Sequence, residues 1–188
     1  MTLYSIVLFL HVVGALGFFG GLAIEWLELR QMRRATSHEQ LREWLQALGS
    51  LGRLVGPSLL ILLVTGMYMA ATVWPYPWVG VALVVLFLFP ILGIALGGRR
   101  MRRMVKELGT ATGPVGSALD ARVHDPIFIV SWRLRTALAL GIVYLMTTKP
   151  VIGHALIAVA VAAVVGIIWS LPLLAGRGRA QATVVTER

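Results

Sequence analysis

Five stretches of this chain stay apolar for about 20 residues or more, and few folds accept such segments. They run from Leu3 to Leu29, Leu54 to Trp74, Trp78 to Gly97, Ile127 to Thr148 and Val151 to Leu174. A hydrocarbon core about 30 Å thick is crossed by roughly 20 helical residues. Lipid offers the backbone no hydrogen bonds, so segments of this kind must satisfy their own peptide groups as helices. The expected fold is all-α, a polytopic transmembrane helical bundle of five spans.

Composition agrees. Hydrophobic residues make up 58% of the 188 and charged residues 13%, with a mean hydropathy of +0.84. A soluble domain is closer to half apolar and a quarter charged. A water-soluble enzyme is thereby excluded as the ordinary reading. Residues 1–176 suffice for one bundle, and 177–188 read as a disordered tail. The absence of cysteine removes disulfides, zinc–thiolate sites, iron–sulfur clusters and thiol catalysis.

The joints fit the spans. Trp74-Pro75-Tyr76-Pro77-Trp78 and Thr147-Thr148-Lys149-Pro150 are tight turns, so the spans on either side of each run antiparallel. The connection 30–53 contains Ser37-His38-Glu39-Gln40, a capping-box spacing that opens a helix over 38–49. Leu41, Trp44, Leu45 and Leu48 share one side of it, as in an amphipathic helix lying on a membrane surface. The loop 98–125 begins with RRMRRMVKELG, a basic continuation of the third span, and then loosens into Gly- and Thr-rich sequence. Pro90 should kink the third span. Arg133 and Arg135 shorten the uncharged part of the fourth, which must snorkel or pair them.

Charge sets the expected orientation. With the N-terminus outside and the C-terminus inside, 16 of the 17 Lys and Arg residues share the inner face, with Lys149 the exception. The net charge of +9 is then matched to anionic lipid headgroups, and nucleic acid is not expected as a partner. The N-terminal segment lacks the basic start, the short apolar core and the small-x-small site of a cleaved signal peptide.

Ionisable residues inside spans are rare and point to function. His11 lies roughly 12 Å along the first span and His154 roughly 5 Å into the fifth, both from the same face. Met67, Met69 and Met146 fall in the same half of the membrane, so His11, His154, Met67 and Met146 can converge there. Imidazole with thioether suits a haem iron or a Cu(I) ion, whereas methionine packed as a core filler needs neither. Gly14, Gly17 and Gly21 lie near the His11 face, in a strip that admits a neighbouring helix or a flat porphyrin. Nearer the other end, Glu25 is placed to form a structural ion pair with Arg133 or Arg135. His38 and His124 fall in loops and are expected to be solvated. No Walker loop, GxGxxG, HExxH or GxSxG is present, which leaves nucleotide-binding, zinc-protease and serine-hydrolase functions without support.

The segment FLHVVGALGFFGG resembles the first helix of the copper-resistance-protein-D-like superfamily, whose members tend to open with a Leu-His pair, small residues and a Gly-Gly. Thr65-Gly66 and the run Met146 to Pro150 resemble one branch of it, a predicted integral membrane family of unknown function. The grouping includes copper-uptake-linked membrane proteins, the membrane protoporphyrinogen oxidase of bacteria and the membrane part of a urate oxidase. The resemblance implies a small bundle of the bacterial inner membrane with His11 as a haem or metal contact. Several relatives carry histidines in other spans. Spans two to four here have none, which leaves His11 with His154 for a bis-histidine haem.

Three functions follow as expectations. The first is a haem-associated, redox-linked protein holding haem b through His11, with Met67 or His154 as second ligand. The second is Cu(I) transport or handling by His11, Met67, Met69, Met146 and His154. The third is a scaffold or partner subunit without a cofactor, in which glycines and histidines pack helices. A redox partner in the membrane or a second copy of the chain fits these readings, and enzymatic activity is left open.

Overall fold

The computed structural model describes residues 2–72 and 76–186, with side chains described as far as Leu173. The expected turn at Trp74-Pro75 falls outside the described residues. Of the tail 177–188, expected to be disordered, the backbone of 177–186 continues the helix that begins at Ile152, while its side chains and residues 187–188 lie outside what is described. The chain forms helices α1 (Leu3–Met32), α2 (His38–Ser50), α3 (Gly52–Thr72), α4 (Pro77–Gly93), α5 (Arg99–Leu108), α6 (Ser117–Val123), α7 (Ile127–Thr148) and α8 (Ile152–Thr186). A π-helical turn over Ile94–Gly98 joins α4 to α5. Five of the helical stretches are long and apolar enough to cross a membrane, and no strand occurs among the described residues.

The helices pack in a chain of pairs. α3 lies along α1, α4 along α7, and α7 along α8. The α1–α3 contact rests on missing side chains. A Cβ at Gly14 would come within 3.0 Å of Ile61 Cγ2, one at Gly17 would collide with Ser58 Oγ, and one at Gly21 with Val55 Cγ2. Without a hydrophobic force between helices in lipid, close approach of this kind supplies dispersion contacts. The glycine strip therefore serves helix packing along its length.

At one end of the bundle α2, α5 and α6 gather, and this is called the basic end below. At the other, the turn end, α7 passes into α8 through Lys149, whose left-handed backbone (φ 48°) lets its N–H bond Leu145 O at 2.9 Å. α2 starts as the spacing predicts. Ser37 Oγ accepts the Gln40 N–H at 3.3 Å. The returning Gln40 Oε1 takes the Thr36 N–H at 3.1 Å rather than that of Ser37. Its apolar side differs from expectation. Leu41 and Leu45 are buried against Leu29, Met32, Met104 and Leu108, so protein rather than lipid covers that face. α2 also runs into α3 with Leu51 alone between them. It is a cap on the bundle.

The loop 98–125 is likewise more ordered than its composition suggests. α5 extends the third span through the π turn, four residues after Pro90, and α6 adds a short helix at Ser117–Val123. Proline has no N–H to give Leu86 O in the preceding turn. The two long connections dock on each other. His38 N donates to Gly113 O at 2.9 Å, Val115 N to Thr36 O at 3.1 Å, and Gly113 N to Glu39 Oε1 at 3.1 Å. His38 Nδ1 also lies 2.9 Å from Gly113 O, so His38 is held in this joint rather than solvated, while His124 is exposed beside Asp120. Arg33 donates to the carbonyls of His124 and Asp125 at 3.3 and 3.1 Å, tying the end of α1 to the start of α7. Burial lowers its guanidinium from the ordinary arginine value, with Asp125 opposing the shift.

Candidate metal-ligand cluster

α7 is a single 22-residue helix despite its two arginines, and the structure shows how each is accommodated. Arg135 donates to the Glu25 carboxylate across the α1–α7 interface. Arg133 points to α8, where it bonds the Trp169 carbonyl and stacks over the Trp169 ring with 5.0 Å to its centroid. Trp132 lies between, 5.6 Å from the Trp169 ring and 6.3 Å from that of Trp26, with its Nε1 donating to Leu22 O at 2.7 Å. Tryptophan with snorkelling arginine is the composition of a membrane interface.

Nearer the turn end, His11 is buried, with 8% of its surface exposed. Its Nδ1 lies 2.8 Å from Thr65 Oγ1 on α3. The Thr65 hydroxyl proton is committed to Ile61 O at 2.5 Å, so Thr65 accepts from His11. That hydrogen bond places the imidazole proton on Nδ1 and leaves Nε2 with an open lone pair, the form in which histidine ligates metals. Thr65 was not expected as the partner of His11. A threonine at matching depth in the facing span was the signal available.

A small cavity of about 30 Å³ adjoins the ring. α1 contributes His11 to it, α3 Gly66 and Met69, α4 Trp78 and α7 Met146. Gly66 keeps the space open, since a Cβ there would stand 3.6 Å from His11 Cε1. Met69 is 1% exposed. Two of the expected thioethers therefore meet His11 at one cavity. Met67 does not line it and is 45% exposed on the other side of α3. His154 is exposed and lines a separate apolar groove between α7 and α8 with Tyr144 and Trp169.

These positions bear on the ligand sets. A water needs about 10–15 Å³ in this measure, so the space beside His11 takes one or two water-sized groups or a single ion. A porphyrin does not enter it, and neither Met67 nor His154 is placed there as a second axial ligand. Among the described residues no three His, Asp or Glu side chains come together. One imidazole nitrogen with two thioethers in an apolar pocket is a soft donor set.

Comparison of the chain with family models, curated proteins and solved structures finds no match.

Proposed function

We propose that this chain is a multi-pass protein of a bacterial inner membrane that binds and handles Cu(I) through His11, Met69 and Met146. The observation carrying the reading is the Thr65–His11 hydrogen bond, which fixes the tautomer with Nε2 open beside a cavity lined by two methionines. Cu(I) favours soft thioether and imidazole donors at low coordination number, and burial suits a monovalent ion held by neutral ligands. The N-terminus lies outside in this reading, because α2, α5 and α6 bring the basic residues to one end and the positive-inside bias places that end in the cytoplasm. The cluster then sits in the outer half of the membrane, where it accepts copper from the outer side.

Phe18 on α1 and Phe89 on α4 meet edge to face, with ring centroids 5.0 Å apart. They stand on the basic-end side of the cluster and line the larger cavity beyond it.

Anaerobic titration of the detergent-purified protein with Cu(I), against a chromogenic chelator such as bicinchoninate, tests the proposal. One equivalent should bind. His11→Ala, Met69→Leu and Met146→Leu should each weaken binding about tenfold or more, while Met67→Leu leaves it unchanged. Sensitivity to Met67 but not Met69 overturns the cluster. A stoichiometric Soret band from haem-fed cells, lost in His11→Ala, overturns copper in favour of haem.

A further inference from the structure

A second, larger cavity of about 450 Å³ lies on the basic-end side of Phe18 and Phe89. That volume is in the range of small-molecule sites. Its back wall is α1, from Phe18 to Leu29, and the start of α7. The eleven rises between these two residues make it roughly 16 Å tall at 1.5 Å per residue. Its sides are the first turns of α3 and the last turns of α4 with the π turn. Towards the turn end α3 and α4 share the lining of the His11 cavity, and here they part around an open slot. Glycines keep the slot wide. A Cβ at Gly52 or Gly56 would meet nothing within 4 Å, and one at Gly93 would only graze Arg135 Nη1 at 3.9 Å. Gly56 and Ile94 are exposed at its rim, on the surface that faces lipid in a membrane-spanning bundle.

The walls are apolar and the polar groups are gathered at the back. Glu25 and Arg135 compensate each other there, with side chains 17% and 14% exposed. Ser131 lines the same wall, is 3% exposed, and its hydroxyl has no hydrogen-bond partner among the described residues. Arg135 Nε is also buried without a partner among them. Donors left unmatched in a low-dielectric wall cost free energy that an incoming acceptor recovers. The site's own charge is balanced, so an anionic head would place an uncompensated charge beside Glu25.

We infer that the slot between α3 and α4 binds a neutral amphiphile from the lipid phase, its carbonyl-bearing head accepting hydrogen bonds from Ser131 and Arg135 and its apolar chain leaving between Gly56 and Ile94. An isoprenoid-type quinone and a neutral acyl glycerol share this chemistry. The inference does not rest on copper binding, which concerns another cavity and another readout.

Native mass spectrometry from detergent tests it, with decylubiquinone, dioleoylglycerol and anionic dioleoylphosphatidylglycerol as separate probes. A saturable one-to-one adduct is expected with a neutral probe, and which of the two binds names the source. Gly93→Leu fills the slot beside Arg135 and Gly56→Leu fills its rim, so each should abolish the adduct in protein that still melts cooperatively. Ser131→Ala should weaken the adduct without filling space. Absence of a one-to-one adduct with either neutral probe overturns the inference. So do adducts that survive both leucine variants, or retention of the anionic probe alone.

Discussion

Arg135 on α7 donates to the carboxylate of Glu25 on α1, whereas Arg133, two residues earlier, bonds the Trp169 carbonyl on α8. Two residues of helix are about 200° of rotation, so both arginines cannot serve one partner. Glu25→Gln leaves a guanidinium in the wall without its counter-charge. We expect a loss on the order of 3 kcal/mol in reversible unfolding in mixed micelles. The exchange Glu25→Arg with Arg135→Glu should recover much of that loss. Glu25→Arg with Arg133→Glu should not, and recovery there would reject the pairing.

The α1–α3 contact offers a second test. Gly17→Ala drives a methyl into Ser58 Oγ, while Gly20→Ala meets nothing within 4 Å. The first should lower stability by about 1–3 kcal/mol, as overpacked sites do. Gly20→Ala should be neutral. Ser58→Ala removes the clashing oxygen and should return part of the stability lost to Gly17→Ala. Equal effects at Gly17 and Gly20 would show that α3 does not approach this face.

Thr65 makes a third. Thr65→Val keeps the volume but removes the acceptor that holds the His11 proton on Nδ1. Loss of such a partner typically lowers metal affinity about 10–100-fold. Cu(I) competition should show that loss for Thr65→Val and near-native binding for Thr65→Ser. Native affinity in the valine variant would mean that Nε2 is oriented by something else.

At the basic end, Ser37→Ala removes the cap that accepts the Gln40 N–H. A cost of about 1 kcal/mol is usual for such a change. Hydrogen exchange should speed up in the first turn of α2 and, through the docked connection, at the Gly113 and Val115 amides. Exchange that changes in α2 alone would show that the two connections do not move together.

Much of this architecture could be read from the chain, for physical reasons specific to each part. The apolar runs are long, and a lipid environment permits one backbone solution to them. The start of α2 was legible because Ser37 and Gln40 report their hydrogen bonds through spacing. The choice between Met67 and Met69 was not. Depth along a span follows from residue count, but the face turned to a neighbour depends on packing. Here the close approach of α3 to Gly14, Gly17 and Gly21 decides it. His154 shows the same limit, since its depth allowed convergence with His11 but its rotation put it on the α7–α8 groove. The helix at Ser117–Val123 escaped because seven residues after a Gly- and Thr-rich stretch carry too little periodicity. It is held by Leu119 and Val123, which pack with Leu108 and Phe128 in the basic-end core.

The edge-to-face contact of Phe18 and Phe89 stands between two rooms of the interior, a small one beside His11 and a larger one that opens sideways between α3 and α4. In thermodynamic terms the occupants of such rooms are weakly linked, because neither changes the dielectric or the hydrogen bonding that the other meets. Should the two rings turn together, both rooms would change shape at once. A coupling free energy measured between the two ligands would then report the motion of that pair.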